Sequence, residues 1–365
     1  MTTEHSGARL VHGWERGFTP PAAAVLGTLA GGYRRFLGAR EWLYEQGVLR
    51  SRGLGRPVIA IGNLTVGGTG KTPAVEMAVQ TLLELGHRPV VVSRGYRRQS
   101  RGVQIVADTS SVRLDAEEAG DEPFLLARRL PGVPVIVGSN RYLAARLAVS
   151  RFPVTAIVLD DGFQHRTLDK DLEVVMVRAH HPWGNGQLLP GGPLREPLSA
   201  LARAQLIVAT GARGEADLSE VRAAADVHAP GVPVLAARHR AVECWEAERM
   251  RPHRLRDLTG ARVLAFAGIA APAGFEATLG ELGVETAAFV KFADHYWYKP
   301  EDLRRLDERA ASLQAIGLVT TEKDWVRLRR LPLPKRPVYV VSVRLELSAG
   351  HAAWRAAFER ACPRR

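Results

Sequence analysis

The residues with the clearest capacity for chemistry are Gly67-Gly68-Thr69-Gly70-Lys71-Thr72. Glycines let a chain turn its backbone N–H groups inward around a phosphate. A helix starting at the end of such a loop adds donors and partial positive charge. In this pattern Lys71 reaches the β- and γ-phosphates of a nucleotide, and the Thr72 hydroxyl suits Mg²⁺. The expected cradle is Thr65, Val66, Gly67, Gly68, Thr69, Gly70, Lys71 and Thr72. A full Walker A pattern has glycine where Thr65 stands, and Gly67 and Gly68 supply flexibility in its place. Pro73 falls in the first helical turn, where its missing N–H costs little.

A second group is Ala156-Ile157-Val158-Leu159-Asp160-Asp161-Gly162. An apolar strand ending in aspartate is the Walker B arrangement, whose carboxylate holds Mg²⁺ directly or through water. Asp-Gly after a strand is also a common turn, so the signal gains its weight from the glycine-rich loop. His165, just beyond, reads as structural. Gly120-Asp121-Glu122-Pro123 reads as a loop, either a solvated turn or a source of a catalytic carboxylate.

These residues need a scaffold. Val58–Ile61 is a short apolar strand, residues 71–85 a helix, and Pro89–Ser93 the next strand. That βαβ unit implies a parallel sheet. Further buried-strand runs occur at 133–137, 156–159, 173–177, 206–209 and 234–237, with a helix over 140–150. The alternation predicts a P-loop NTPase-like, doubly wound, mostly parallel α/β sheet over residues 46–240. A second α/β series starts near Arg262: strands at 263–267, 284–289, 317–320 and 338–343, and helices at 274–282 and 349–361. It predicts a smaller C-terminal α/β domain over 261–365, joined by a linker at 241–260. Residues 1–20 are polar, mixed and expected to fray. From Pro20 a helix is expected within a membrane-associating segment, 1–45. Its Tyr33, Phe36, Trp42 and Tyr44 mix with Arg34, Arg35 and Arg40, a combination suited to a membrane interface or to an amphipathic helix packed on its own domain.

Composition narrows the function. The chain has 365 residues, 46% of them hydrophobic, and only Cys244 and Cys362 as cysteines. A disulfide framework and a four-cysteine zinc site are excluded, and a reducing compartment is expected. No apolar run is long enough to span a bilayer, and no signal peptide is expected. The net charge of +12 favours anionic partners. Only six lysines stand beside 44 arginines, so Lys71 is a sparing choice.

Taken together, the motifs resemble one family, the tetraacyldisaccharide 4′-kinases of lipid A biosynthesis. The resemblance runs from about Leu43 to Leu328. It rests on 62–73 (Gly62-Asn63-Leu64 through Pro73), Ser93-Arg94-Gly95-Tyr96, Gly120–Pro123, Asp160–His165 and Leu189-Pro190-Gly191-Gly192-Pro193-Leu194-Arg195-Glu196. Gly268-Ile269, Asp294-His295 and Thr320-Thr321-Glu322-Lys323-Asp324 continue it. Thr65 is itself the family's residue; Arg97, Gly191 and Ala293 are small departures, and Ala293 leaves the His295 loop without the usual proline.

The resemblance implies transfer of the ATP γ-phosphoryl group to the 4′-hydroxyl of a tetraacylated glucosamine disaccharide 1-phosphate. It implies a peripheral enzyme on the cytoplasmic face of the inner membrane, attached through its N-terminal region, with a lipid surface and no nucleic acid as partner. It further implies Asp121 as general base assisted by His295, Lys71 and Arg195 as cations at the transferred group, and Thr72, Asp160 and Asp161 around Mg²⁺. Asp121 and His295 would then face each other across a cleft between the domains. Two other classes compete: a P-loop ATPase or GTPase acting on a protein partner, and a basic nucleic-acid-binding ATPase. Against GTP, Thr321-Glu322-Lys323-Asp324 has Glu where a guanine reader has Asn. Against nucleic acid, only 7% of the chain is aromatic.

Overall fold

The computed structural model describes Trp14 and residues 18–363. Most of residues 1–20, expected to fray, therefore lie outside the described residues. The chain opens with α1 (Pro20–Glu45), β1 (Val58–Gly62), α2 (Lys71–Glu84), β2 (Pro89–Ser93) and β3 (Gln104–Ala107). It continues through α3 (Ala116–Ala119), α4 (Asp121–Arg129), β4 (Val135–Val137), α5 (Arg141–Arg151), β5 (Ala156–Asp160), β6 (Leu172–Arg178), β7 (Leu206–Thr210), α6 (Ser219–His228) and β8 (Val234–Glu246). The remainder is β9 (Arg251–His253), β10 (Arg262–Ala267), α7 (Pro272–Glu281), β11 (Glu285–Lys291), α8 (Pro300–Ser312), β12 (Gly317–Thr321), α9 (Glu322–Leu328), β13 (Val338–Ala349) and α10 (His351–Ala361).

All the strands belong to one sheet, in the order β11-β10-β12-β13-β8-β7-β6-β1-β5-β2-β4-β3, with β9 beside β8. From β8 to β4 the pairs are parallel, and so are those from β11 to β13. The two parallel sets meet where β13 pairs antiparallel with β8. This is the expected doubly wound sheet with a second α/β part. Residues 241–260, expected as a linker, instead hold the second half of β8 and all of β9. Val234–Ala237 pairs with β7, while Ala236–Glu246 pairs with β13, so one long strand serves both halves. Register shifts at Ser342/Val343 and Leu347/Ala349 mark irregularities in that ribbon. Bulges of this kind increase local twist. At Gly68 an added Cβ would lie 3.1 Å from the Ala270 side chain beyond β10. The P-loop edge of one parallel set thus meets the loops of the other.

The C-terminal helix also departs from the expected division. Ala349, expected in the helix, ends β13. Trp354, Ala357 and Phe358 of α10 are buried with Ala78, Leu82 and Leu172 of the first half. Trp354 Nε1 donates to Thr81 Oγ1 at 2.9 Å. The last residues therefore clamp the helix that begins at Lys71.

One face of α1 is docked and the other bare. Leu37 is buried with Trp183, Leu188 and Leu194, and Ala30 and Tyr33 pack against the same group. Tyr33 Oη donates to the Arg195 carbonyl at 2.9 Å, and Arg40 pairs with Glu196 at 2.5 Å. Two residues expected at a membrane interface, Tyr33 and Arg40, thus turn toward the protein. Val25, Leu29 and Phe36 lie about a quarter-turn round the helix from that face, 60%, 55% and 61% exposed, and Trp42 is exposed further on.

Candidate active site

The glycine-rich loop leaves β1 at Gly62, where no side chain fits: a Cβ there would meet Phe163 Cβ at 2.4 Å. Asn63 is fully buried, and its Nδ2 donates to the Thr65 carbonyl at 2.6 Å and to Thr69 Oγ1 at 3.0 Å. Gly67 and Gly70 take φ of +109° and +80°, conformations that favour glycine. Gly70 caps α2, so Lys71 and Thr72 are its first two residues. Thr65 and Val66 lie against the 189–196 segment, with Val66 N donating to the Pro193 carbonyl at 2.9 Å. Arg195 N donates to the Leu64 carbonyl at 2.7 Å, which fixes its side chain beside the loop.

The neighbouring strand β5 delivers the aspartate pair. Asp161 sits just past its end with φ +53°. Its Oδ1 is 3.6 Å from Lys71 Nζ, and Arg195 Nη1 donates to both its oxygens at 3.0 and 2.9 Å. Burial pushes the Asp161 carboxyl up, but Lys71, Arg195 and Arg141 outweigh it and hold the group below its ordinary value. Asp160 is buried and accepts from Ser93 Oγ at 2.8 Å. Burial, with Glu122 and Asp161 as like charges nearby, raises its carboxyl to about 7. His165 stays outside this group, 2.8 Å from Thr167 Oγ1, and burial lowers its pKa to about 4.

Asp121 is not in a loop. It opens α4, after Gly120 at φ +90°. Pro123 is compatible with that helix because the first-turn N–H groups have no intrahelical partner. Asp121 Oδ2 lies 2.8 Å from His295 Nδ1 and 3.7 Å from Arg327 Nε. Burial works against its charge, yet His295, Lys323 and Arg327 hold the carboxyl well below the usual carboxylate range. His295 has φ +61°, its backbone N donates to the Gly268 carbonyl at 3.1 Å, and its ring meets Tyr96 edge-on at 5.6 Å. That loop holds His295 in place without the proline that Ala293 replaces.

The structure thus gathers Lys71, Asp160, Asp161 and Arg195 around the glycine-rich loop and pairs Asp121 with His295. Glu122 links the two groups: it lies close enough to raise Asp160, and Lys323 Nζ meets its Oε1 at 2.6 Å. Ser93, Arg141, Glu122, Lys323 and Arg327 belong to the site but were not singled out from the sequence as site residues. Ser93, Glu122 and Lys323 lie within the sequence motifs; Arg141 and Arg327 lie in none. Arg327 has a fully buried side chain between Asp121 and Asp324, and its Nη2 donates to Asp324 Oδ1 at 2.8 Å. Asp324 also accepts from Gly268 N at 2.9 Å and Tyr298 Oη at 2.7 Å, so it ties Arg327 to the loop beneath His295.

Among the described residues no cluster of three His, Cys, Asp or Glu side chains could hold a metal by itself. The all-oxygen set of Thr72, Asp160 and Asp161 fits Mg²⁺, which is usually held by one or two carboxylates with substrate phosphates and water. The Asp160 carboxyl at about 7 fits a site where a cation would replace a proton.

Known proteins resemble the chain over nearly its full length. The profile of the Tetraacyldisaccharide-1-P 4'-kinase family matches residues 22–362. The tetraacyldisaccharide 4'-kinase of Syntrophus aciditrophicus is 38% identical over 336 residues, 90% of each chain. That of an Anaeromyxobacter species is 44% identical over 322 residues, 86% of each. A crystal structure of LpxK from Aquifex aeolicus in complex with ATP superposes with a TM-score of 0.73 at 29% identity, covering 93% of this chain and 99% of that one.

Proposed function

This chain belongs to the Tetraacyldisaccharide-1-P 4'-kinase family and is a kinase of lipid A biosynthesis; from that premise we propose that it moves the ATP γ-phosphoryl group to the 4′-hydroxyl of a tetraacyldisaccharide 1-phosphate. The observation that carries this reading is the pairing of Asp121 with His295 at 2.8 Å, reached from the lysine of the nucleotide loop through Asp160 and Glu122.

In the proposed mechanism residues 65–72 cradle the triphosphate, and Lys71 faces the β- and γ-oxygens. Mg²⁺, held by Thr72, Asp160 and Asp161, would neutralise charge on the transferred group. Arg195 is already fixed on Asp161 and adds a planar cation at the same place. The sugar hydroxyl is a weak nucleophile and must lose its proton during transfer. Asp121 stays ionised, accepts that hydroxyl's hydrogen bond, and takes the proton as the bond to phosphorus forms. So acidic a carboxylate is a weak base, which suits a loose transition state where deprotonation comes late. His295 donates through Nδ1 and aims the carboxylate. Because the pair joins the two halves of the sheet, small movements between them would tune its geometry.

The acceptor is a lipid, so the bare face of α1 has a natural occupant. We place Val25, Leu29 and Phe36 in the headgroup boundary of the inner membrane, on its cytoplasmic face, as a peripheral attachment. No described helix is long and apolar enough to cross a membrane. Labelled ATP, Mg²⁺ and detergent-solubilised disaccharide 1-phosphate test the reading: labelled lipid supports it, and its absence overturns it.

A further inference from the structure

The residues of the proposed ATP site named above all serve the phosphates and the metal. The layout of the sheet gives the direction of the nucleoside. Asp160 ends β5, Ser93 ends β2, and Asp121 reaches the same side of β1. Strands β6, β7 and β8 lie on the other side. A triphosphate whose γ end faces Asp121 therefore leads its nucleoside toward the carboxyl ends of β7 and the parallel part of β8.

Thr210 and His239 stand there. Thr210 Oγ1 donates to the Val177 carbonyl at 3.1 Å and lies 3.4 Å from the Thr69 carbonyl of the nucleotide loop. The His239 ring packs directly on that loop: a Cβ built on Gly70 would lie 3.2 Å from His239 Nε2 and 3.2 Å from Thr210 Cγ2. Neither ring nitrogen of His239 has a hydrogen-bond partner among the described residues. Burial lowers its pKa, so at neutral pH the ring carries one N–H and one free lone pair. Beside it, Gly211 has φ +80° and nothing within 4 Å of where its Cβ would be. A half-buried imidazole without a protein partner, beside the phosphate loop, leaves its ring nitrogens to water, which a bound nucleoside can displace.

We propose that His239 contacts the nucleoside of the bound nucleotide, its ring lying against the ribose or base and hydrogen bonding to it. This rests on the ATP reading above and assigns a residue of β8 to the same site.

Calorimetric titration of the full chain with ADP and with inorganic tripolyphosphate tests the assignment. Loss of one neutral hydrogen bond and its packing should weaken ADP binding by about 3–10-fold in His239→Ala. Tripolyphosphate, which has no nucleoside, should bind as in the wild type. His239→Gln, which keeps an N–H, should recover part of the loss. Unchanged ADP affinity, or equal losses for both ligands, would overturn the assignment. If the wild type binds no ADP or ATP at all, the kinase reading itself falls and takes this inference with it. Photolabelling of the wild type with 8-azido-ATP needs no folded variant. Label on the peptide carrying His239 or on 210–213 supports the contact, and label only elsewhere rejects it.

Discussion

His295 Nδ1 lies 2.8 Å from Asp121 Oδ2, although 174 positions separate the two residues in the chain. A histidine donating to a carboxylate stabilises its ionised form and fixes its direction. If the two act as one unit in the reaction, their losses should not multiply. Asp121→Asn should lower kcat by about 10²–10⁴-fold, as expected for a general base. His295→Ala should lose a large part of the same factor, and the double variant should be little worse than the worse single one. Steady-state kinetics on the three variants decide it, and fully multiplicative losses would reject the pair.

Lys71→Ala should reduce turnover by about 10²–10³-fold, the usual effect of removing one fixed donor from developing charge. The fold should survive, because Asp161 keeps Arg195 as a partner at 2.9 Å. Near-normal turnover with an unchanged melting temperature would show that residues 67–72 are only a structural turn.

Asp160 sets a pH dependence of stability. Its carboxyl is raised to about 7 in the folded chain, against about 3.9 in an unfolded one. A raised group contributes stability that is full below the unfolded value and lost as pH rises through the folded value. In metal-free protein the wild type should therefore fall progressively behind Asp160→Asn between about pH 4 and pH 8. Comparing the two removes the opposite trend from His165, whose folded pKa is lowered to about 4. Parallel melting curves across that window would mean that Asp160 ionises freely.

Arg129 should be a structural keystone. Its guanidinium donates to Glu322, to Glu76 Oε2 at 3.0 Å, to Ser342 Oγ at 2.7 Å and to the Val343 carbonyl at 3.1 Å. It thus binds α2, α4, α9 and β13 together, and its removal leaves buried Glu76 and partly buried Glu322 without their main partner. Arg129→Met should cost about 3–5 kcal/mol in denaturant unfolding. A loss below about 1 kcal/mol would show that the network is dispensable.

Replacing Val25, Leu29 and Phe36 together by serine should weaken binding to anionic vesicles, each exposed side chain being worth about 1.5–3 kcal/mol when buried in an apolar phase. The melting temperature should not fall, because the docked face through Leu37 is untouched. Vesicle sedimentation equal to the wild type would move the attachment elsewhere.

The sequence by itself determined what local chain geometry determines. Gly67 to Thr72 forms a phosphate loop because its glycines and the following helix need only each other. The strand before Asp160 was legible from a run of apolar residues buried on both faces. The tetraacyldisaccharide kinase motifs were legible as ordered short matches. Spacing alone could not show that Asp121 begins a helix, because Gly-Asp-Glu-Pro suits a turn as well as a first helical turn. Tertiary structure decided the rest. Arg195 meets Asp161 only because the 189–196 segment pairs with the nucleotide loop. Arg327 reaches Asp121 only because α9 packs on α4, with Arg129 on Glu322 and Lys323 on Glu122. The expected linker became strand because β13 and β9 pair with it on either side, so its mixed charges alternate with buried Ala241 and Cys244. Tyr33 and Phe36 are both aromatic and three positions apart, yet one faces Arg195 and the other faces outward. Which side of a helix is covered depends on the surface it meets, and that surface is built from residues more than a hundred positions away.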